Sequence, residues 1–150
     1  MPKHQKIDSI DTRLVLATGN QGKLKELQAL LAESRIEIAT LRDFPDLTMP
    51  EETGLTFVEN ARLKARAVVA ATGCWALSDD SGLVVEALAG APGVYSARYD
   101  GGQCSYSDNN QKLLRELAGK ADRSAQFRTV VALADPEGNV QTLEGCCLGT

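Results

Sequence analysis

Apolar and polar positions alternate with three different rhythms along this chain. Leu14, Val15 and Leu16 form a short unbroken apolar run within residues 13–17, the pattern of a strand covered on both faces. The cluster Thr18-Gly19-Asn20-Gln21-Gly22 interrupts it. Then Leu24, Leu27, Leu30 and Leu31 recur at helical spacing among Lys23, Lys25, Glu26 and Gln28. The opening is therefore strand, glycine-rich turn, helix. Ile36 and Ile38 flank Glu37 and predict a second short strand. Residues 41–54, with two prolines and many acids, read as a loop.

Thr56 and Glu59 have capping-box spacing, ahead of a stripe made by Phe57, Ala61, Ala65 and Val68, with Gly73 as the stop. Residues 75–77 predict a short strand, residues 78–82 a polar turn, 83–88 another strand and 89–93 another turn. Ser107 or Asp108 can cap a helix carrying Leu113, Leu114 and Leu117, which Gly119 ends. In residues 126–134, Phe127, Thr129, Val131 and Leu133 share one side of a strand. Asp135-Pro136-Glu137-Gly138 suits a type I turn, and residues 140–143 return as its partner. This is a mixed α/β pattern, with parallel pairing early and a hairpin late. Residues 1–11 read as a loosely ordered polar leader and residues 12–150 as one domain.

With 150 residues, 43% of them hydrophobic, the chain can build one core. The formal net charge of -4 argues against a sequence-independent grip on nucleic acid, which needs a basic surface. A small phosphorylated ligand needs only a few lysines and backbone amides. Cys74, Cys104, Cys146 and Cys147 form no Cys-x-x-Cys pair, and His4 is the single histidine, so neither a zinc site nor a disulfide framework is expected. Buried free thiols in a reducing cytoplasm fit better. No apolar run matches a signal peptide or a membrane span, so the expectation is a cytoplasmic protein.

Five segments can carry chemistry. Thr18, Gly19, Asn20, Gln21, Gly22 and Lys23 place helix N-terminal amides and a lysine where an anion would sit, although an ordinary strand-to-helix turn has the same pattern. Glu51-Glu52 is either solvated surface or a source of a hard magnesium ligand. Asp79-Asp80-Ser81-Gly82 follows an apolar strand, where α/β proteins place ligands; two consecutive acids there repel unless a cation compensates. Asn60 and Lys64, four apart on a helix, either reach phosphate together or form a solvated face. In residues 92–99, Arg98 either binds an anion or pairs internally.

Taken in order, Thr-Gly-Asn-x-Gly-Lys (18–23), Glu-Glu-Thr-Gly-x-Thr-Phe-x-Glu-Asn-Ala-x-x-Lys-Ala (51–65), Asp-Asp-Ser-Gly-Leu (79–83) and Pro-Gly-x-Tyr-Ser-Ala-Arg-Tyr (92–99) make the chain resemble the inosine triphosphate pyrophosphatase family from about Leu14 onward. The resemblance implies an elongated mixed central sheet flanked by helices, with two lobes and a cleft between them, and a homodimer. It implies Mg2+-dependent hydrolysis of inosine, deoxyinosine and xanthosine triphosphates (ITP, dITP, XTP) to monophosphate and pyrophosphate, which clears deaminated purines from the nucleotide pool. It assigns phosphate binding to Thr18–Lys23 and Lys64, magnesium to Glu51 and Asp80, proton acceptance to Asp80, and a substrate contact to Ser81. The family pattern continues with Phe-Gly-Tyr-Asp and Ser-His-Arg motifs that read the base. This chain stops at Leu148-Gly149-Thr150, so a C-terminally truncated domain is expected. The alternative function is nucleotide binding with little or no catalysis.

Overall fold

The computed structural model describes residues 13–102 and 105–150. The expected leader and Cys104 fall outside these described residues. Strands β1 (Arg13–Leu16), β2 (Glu37–Thr40), β3 (Trp75–Val85), β4 (Ala125–Ala134) and β5 (Val140–Gly149) form one sheet in the order β2-β1-β3-β4-β5. β1 pairs in parallel with both β2 and β3, while β3–β4 and β4–β5 are antiparallel. The sheet is thus mixed, as the sequence pattern predicts: a short parallel half beside a long antiparallel ribbon.

Helices α1 (Gln21–Leu31) and α2 (Phe57–Thr72) cover opposite faces. Strand alternation divides the core accordingly. Leu14, Leu16 and Leu24 form one cluster, with Leu27, Leu31, Leu77 and Leu133 against it. Val15, Ala17, Ala39, Ala61, Ala65, Val68, Ala76, Val130, Ala132 and Ala134 form the other. Small residues on both α2 and the strands let helix and sheet approach closely. The expected α2 stripe is the buried one. Its N-cap is Thr56, whose Oγ1 accepts the Glu59 N–H at 3.1 Å, and Gly73 ends it in the left-handed region at φ 68°. The Glu59 carboxylate accepts from the Leu55 N–H rather than closing a reciprocal box.

Several expectations change. Leu30 is 80% exposed, because its helical angle lies well off the Leu24-Leu27-Leu31 line. Residues 78–82 are not a turn. β3 runs unbroken through them, in continuous register from Ala76 opposite Ala134 to Val85 opposite Ala125. The ladder with β4 satisfies their backbone, which outweighs the turn preference of Asp-Asp-Ser-Gly. The strand expected at 83–88 ends at Val85, and Glu86–Leu88 is a 3-10 turn. The third helix, α3 (Tyr106–Leu117), is capped by Ser105 in a box with Asp108, not by Ser107 or Asp108. On β4 the buried set is Val130, Ala132 and Ala134, facing α2, whereas Phe127 on the other side is 64% exposed. β5 extends to Gly149 and, among the described residues, forms one edge of the sheet, with β2 at the other.

Candidate active site

The strand order creates a switch point. From β1 the chain passes through α1 on one face to β2, then through α2 on the other face to β3, on the opposite side of β1. Connections that leave in opposite directions open a crevice at the carboxyl ends of the two central strands. β1 stops at Leu16, and the Ala17 N–H donates to the Leu77 carbonyl at 2.8 Å. β3 continues past that point with its ladder to β4 on one side, so Asp79–Gly82 border the crevice on the other.

The first wall is the 18–23 turn. Thr18 Oγ1 accepts the Asn20 N–H at 3.1 Å, and Asn20 Oδ1 caps α1 by accepting the Lys23 N–H at 3.1 Å. Asn20, Gln21 and Gly22 are exposed, and a Cβ built on Gly19 would meet no heavy atom within 4 Å. The turn therefore presents first-turn amides and the positive end of a helix dipole to an open space. Lys23 Nζ sits 2.6 Å from Asp79 Oδ2 and 2.7 Å from Ser81 Oγ, both on the α1 face of β3.

Asp80 points to the other face. It is 6% exposed, and Asn60 Nδ2 donates to its Oδ2 at 3.1 Å. Burial raises the Asp80 carboxyl above the ordinary aspartate range. The Asn60 hydrogen bond opposes this, the Glu52 charge adds to it, and Lys64 and Lys23 counter it. A carboxylate held somewhat above its solution value, at a crevice, suits proton acceptance. Lys64 Nζ lies 2.9 Å from Glu52 Oε1. Asp79 and Asp80, as successive strand residues, face opposite ways, and Lys23 is the cation that compensates Asp79.

The structure gathers the expected residues into two groups astride β3. Thr18, Gly19, Asn20, Gln21, Gly22, Lys23 and Ser81 lie on the α1 side, with Asp80 and Lys64 on the α2 side. Glu51 lies exposed in the loop before α2; the carboxylate that acts on Asp80 is that of Glu52. Asn60 does not share an exposed face with Lys64. It is fully buried and turned to the Gly54 loop and Asp80. Arg98 pairs internally, donating to the Glu52 carbonyl at 3.2 Å and stacking 5.1 Å from the Tyr95 ring centroid. A cleft of about 470 Å³ opens on the α1 side, lined by Asn20, Lys23, Ser81, Gly82, Ser96, Tyr99, Tyr106, Asn109 and Phe127 among others. Of its aromatic lining the sequence singles out Tyr99, within residues 92–99, but not Tyr106, which meets Phe127 only once α3 lies beside the sheet. The approach of Lys23 to Asp79 joins residues 56 apart, which no local pattern shows.

This is an α/β protein with an anion-ready helix terminus and a buried carboxylate at one switch point. Residues 14–150 match the Ham1 family, and the chain belongs to it. It is 52% identical over 139 residues to the dITP/XTP pyrophosphatase of Elusimicrobium minutum, covering 89% of this chain and 71% of that protein. With the dITP/XTP pyrophosphatase of Desulforamulus reducens the identity is 50%, covering 91% and 69%. Among solved structures, a HAM1 protein from Coxiella burnetii superposes with a TM-score of 0.85 at 42% identity, covering 92% of this chain and 72% of that one. A nucleoside-triphosphatase / dITP/XTP pyrophosphatase from Mycobacterium abscessus gives 0.83 at 38%, covering 93% and 74%.

Proposed function

We propose that this chain hydrolyses the triphosphates of deaminated purines (ITP, dITP and XTP) to nucleoside monophosphate and pyrophosphate, removing them from the nucleotide pool. The observation that carries this reading is the placement of Lys23 and Asp80 on opposite sides of the same crevice-lining strand. One side can hold phosphate while the other takes a proton.

The phosphates rest on the first-turn amides of α1. Lys23 exchanges part of its bond to Asp79 for a phosphate oxygen and neutralises negative charge there. Lys64 approaches from the α2 side. Ser81, already bonded to Lys23, adds a hydroxyl beside it. Asp80 accepts the proton of a water that attacks the α-phosphorus. The bond between the α-phosphorus and the bridging oxygen breaks, and pyrophosphate leaves with its charge countered by the lysines.

Mg2+ belongs to the same proposal, and the donor chemistry fits it. Among the described residues no three Asp, Glu, His or Cys side chains converge closely enough to make a complete cage. Magnesium does not need one, since it is commonly held by one or two carboxylates with substrate phosphates and water. Asp80 and Glu51 are the acids proposed to hold it: Glu52 is engaged by Lys64, whereas Glu51 lies exposed in the loop before α2. When bound, the ion screens phosphate charge and acidifies water.

A homodimer is also proposed. It is supported by the edge strand β5, which carries exposed Leu143 (78%) on one face and exposed Leu148 (79%) on the other and whose edge pairing would cover. Light scattering at micromolar concentration tests it, and a purely monomeric mass rejects it. None of the described helices is long and apolar enough to cross a membrane. A cytoplasmic location follows from a nucleotide-pool substrate and is part of the proposal.

The test is pyrophosphate release from ITP, dITP, XTP, ATP and GTP with magnesium. Release confined to the first three, lost about a hundredfold in Asp80→Asn, is expected. Binding of ITP without release from any of the five would support the binding-only alternative instead.

A further inference from the structure

Asn60 is fully buried, one of the few polar side chains in the interior. Each end of its amide has a partner. Oδ1 accepts the Gly54 N–H at 2.7 Å, and Nδ2 donates to Asp80 Oδ2 at 3.1 Å, with the Gly54 carbonyl a further 3.5 Å contact. Only one orientation of the amide serves both, because an N–H needs the oxygen and a carboxylate needs the nitrogen. The setting is tight: a Cβ on Gly54 would come within 2.6 Å of Asn60 Oδ1 and 2.7 Å of Glu59 Cβ.

We propose that Asn60 is a positioning residue for the reaction, joining the acidic loop at Gly54 to Asp80 and setting the direction in which Asp80 presents its second carboxylate oxygen. Asn60 is fully buried and acts through Asp80. A buried carboxylate with one oxygen pinned by an N–H keeps one orientation, and proton acceptance depends on that orientation. The same amide holds the start of α2 in register with the loop carrying Glu51 and Glu52, so both acidic segments depend on a single side chain. Asparagine is required because the site needs an acceptor and a donor separated by one planar group. Aspartate supplies only acceptors, and leucine, of similar shape, supplies neither.

This inference rests on Asp80 being the proton acceptor. The test compares Asn60→Asp with Asp80→Asn in the whole chain. Asn60→Asp keeps an acceptor for Gly54 but replaces the donor to Asp80. We expect kcat with ITP to fall by about tenfold or more while KM moves by less than about threefold, in a sample whose near-ultraviolet circular dichroism shows it folded. Combining it with Asp80→Asn exchanges donor and acceptor, so the double variant should recover the urea midpoint lost in Asn60→Asp. Unchanged kcat in Asn60→Asp, or strictly additive midpoints, overturns the positioning role. If Asp80→Asn itself retains turnover, the proton-acceptor reading fails instead. Should Asn60→Asp not fold, the side-chain amide protons of Asn60 in the 15N-labelled wild type decide. Slow exchange that persists with magnesium and a non-hydrolysable ITP analogue supports the role, and rapid exchange in that complex rejects it.

Discussion

Gly82 lies on β3 immediately after Ser81, and the segment Gly93–Arg98 crosses directly over it. A Cβ at this position would stand 2.4 Å from the Gly93 carbonyl oxygen, 2.5 Å from Ser96 Oγ and 3.0 Å from Phe57 Cε1. Ordinary contact would require the first two atoms to retreat by about 1 Å. Ser96 Oγ cannot do so freely, since it accepts the Leu83 N–H at 2.9 Å and donates to the Gly93 carbonyl at 2.7 Å. Gly82→Ala therefore forces both bonds to lengthen. At about 0.5 kcal/mol for each lengthened hydrogen bond and about 1–3 kcal/mol for overpacking, the expected loss is roughly 2–4 kcal/mol. In a chain of this size that lowers the melting temperature by roughly 5–15 °C. Urea unfolding followed by tryptophan fluorescence measures it directly, because Trp75 is the single tryptophan and lies on the same strand. A Gly82→Ala chain less than about 0.5 kcal/mol below wild type would refute the close-approach argument, since surface-like tolerance has that size. Turnover should fall as well, because Ser81, Gly82 and Ser96 line one cleft.

Gly19→Ala gives the opposite pattern. The space around it is open, so stability should change by less than about 0.5 kcal/mol, yet KM for ITP should rise if phosphate approaches this turn; an unchanged KM would remove Gly19 from the site. Asp80→Asn should stabilise the ligand-free chain at neutral pH. Burial raises the Asp80 carboxyl above its unfolded value, so the folded state binds more protons between the two values, and stability falls as pH rises through that window. Chemical denaturation in EDTA should show the variant's advantage at pH 7 shrinking below the ordinary aspartate range; a gap independent of pH contradicts the assigned cause. Glu51→Gln should raise the magnesium concentration for half-maximal rate by about tenfold with little effect on saturated KM, whereas Glu52→Gln, which releases Lys64, should alter KM for ITP. The reverse pattern, read from magnesium titrations of initial rate, would exchange the two roles.

Local sequence determined a good deal of this protein. The β1–turn–α1 unit, the α2 stripe with its Thr56 cap and Gly73 stop, and the β4–β5 hairpin each depend on neighbours within one or two turns of chain, and each was legible. The turn at residues 18–23 with its exposed helix terminus was legible because its parts lie close together in sequence. What the tertiary structure alone decided is long-range. Asp-Asp-Ser-Gly has the composition of a turn but becomes strand interior, since β4, some fifty residues later, supplies its backbone partners. Asn60 looked like a surface companion of Lys64. The helix is rotated by the packing of Ala61, Ala65 and Val68 against the sheet, which carries Asn60 inward to Asp80, while Lys64 stays near the rim with Glu52. Adjacent aspartates read as a repelling pair are separated by the pleat, and the cation that compensates Asp79 is Lys23, 56 residues away. Periodicity states which residues share a face; only the packed sheet states what that face meets.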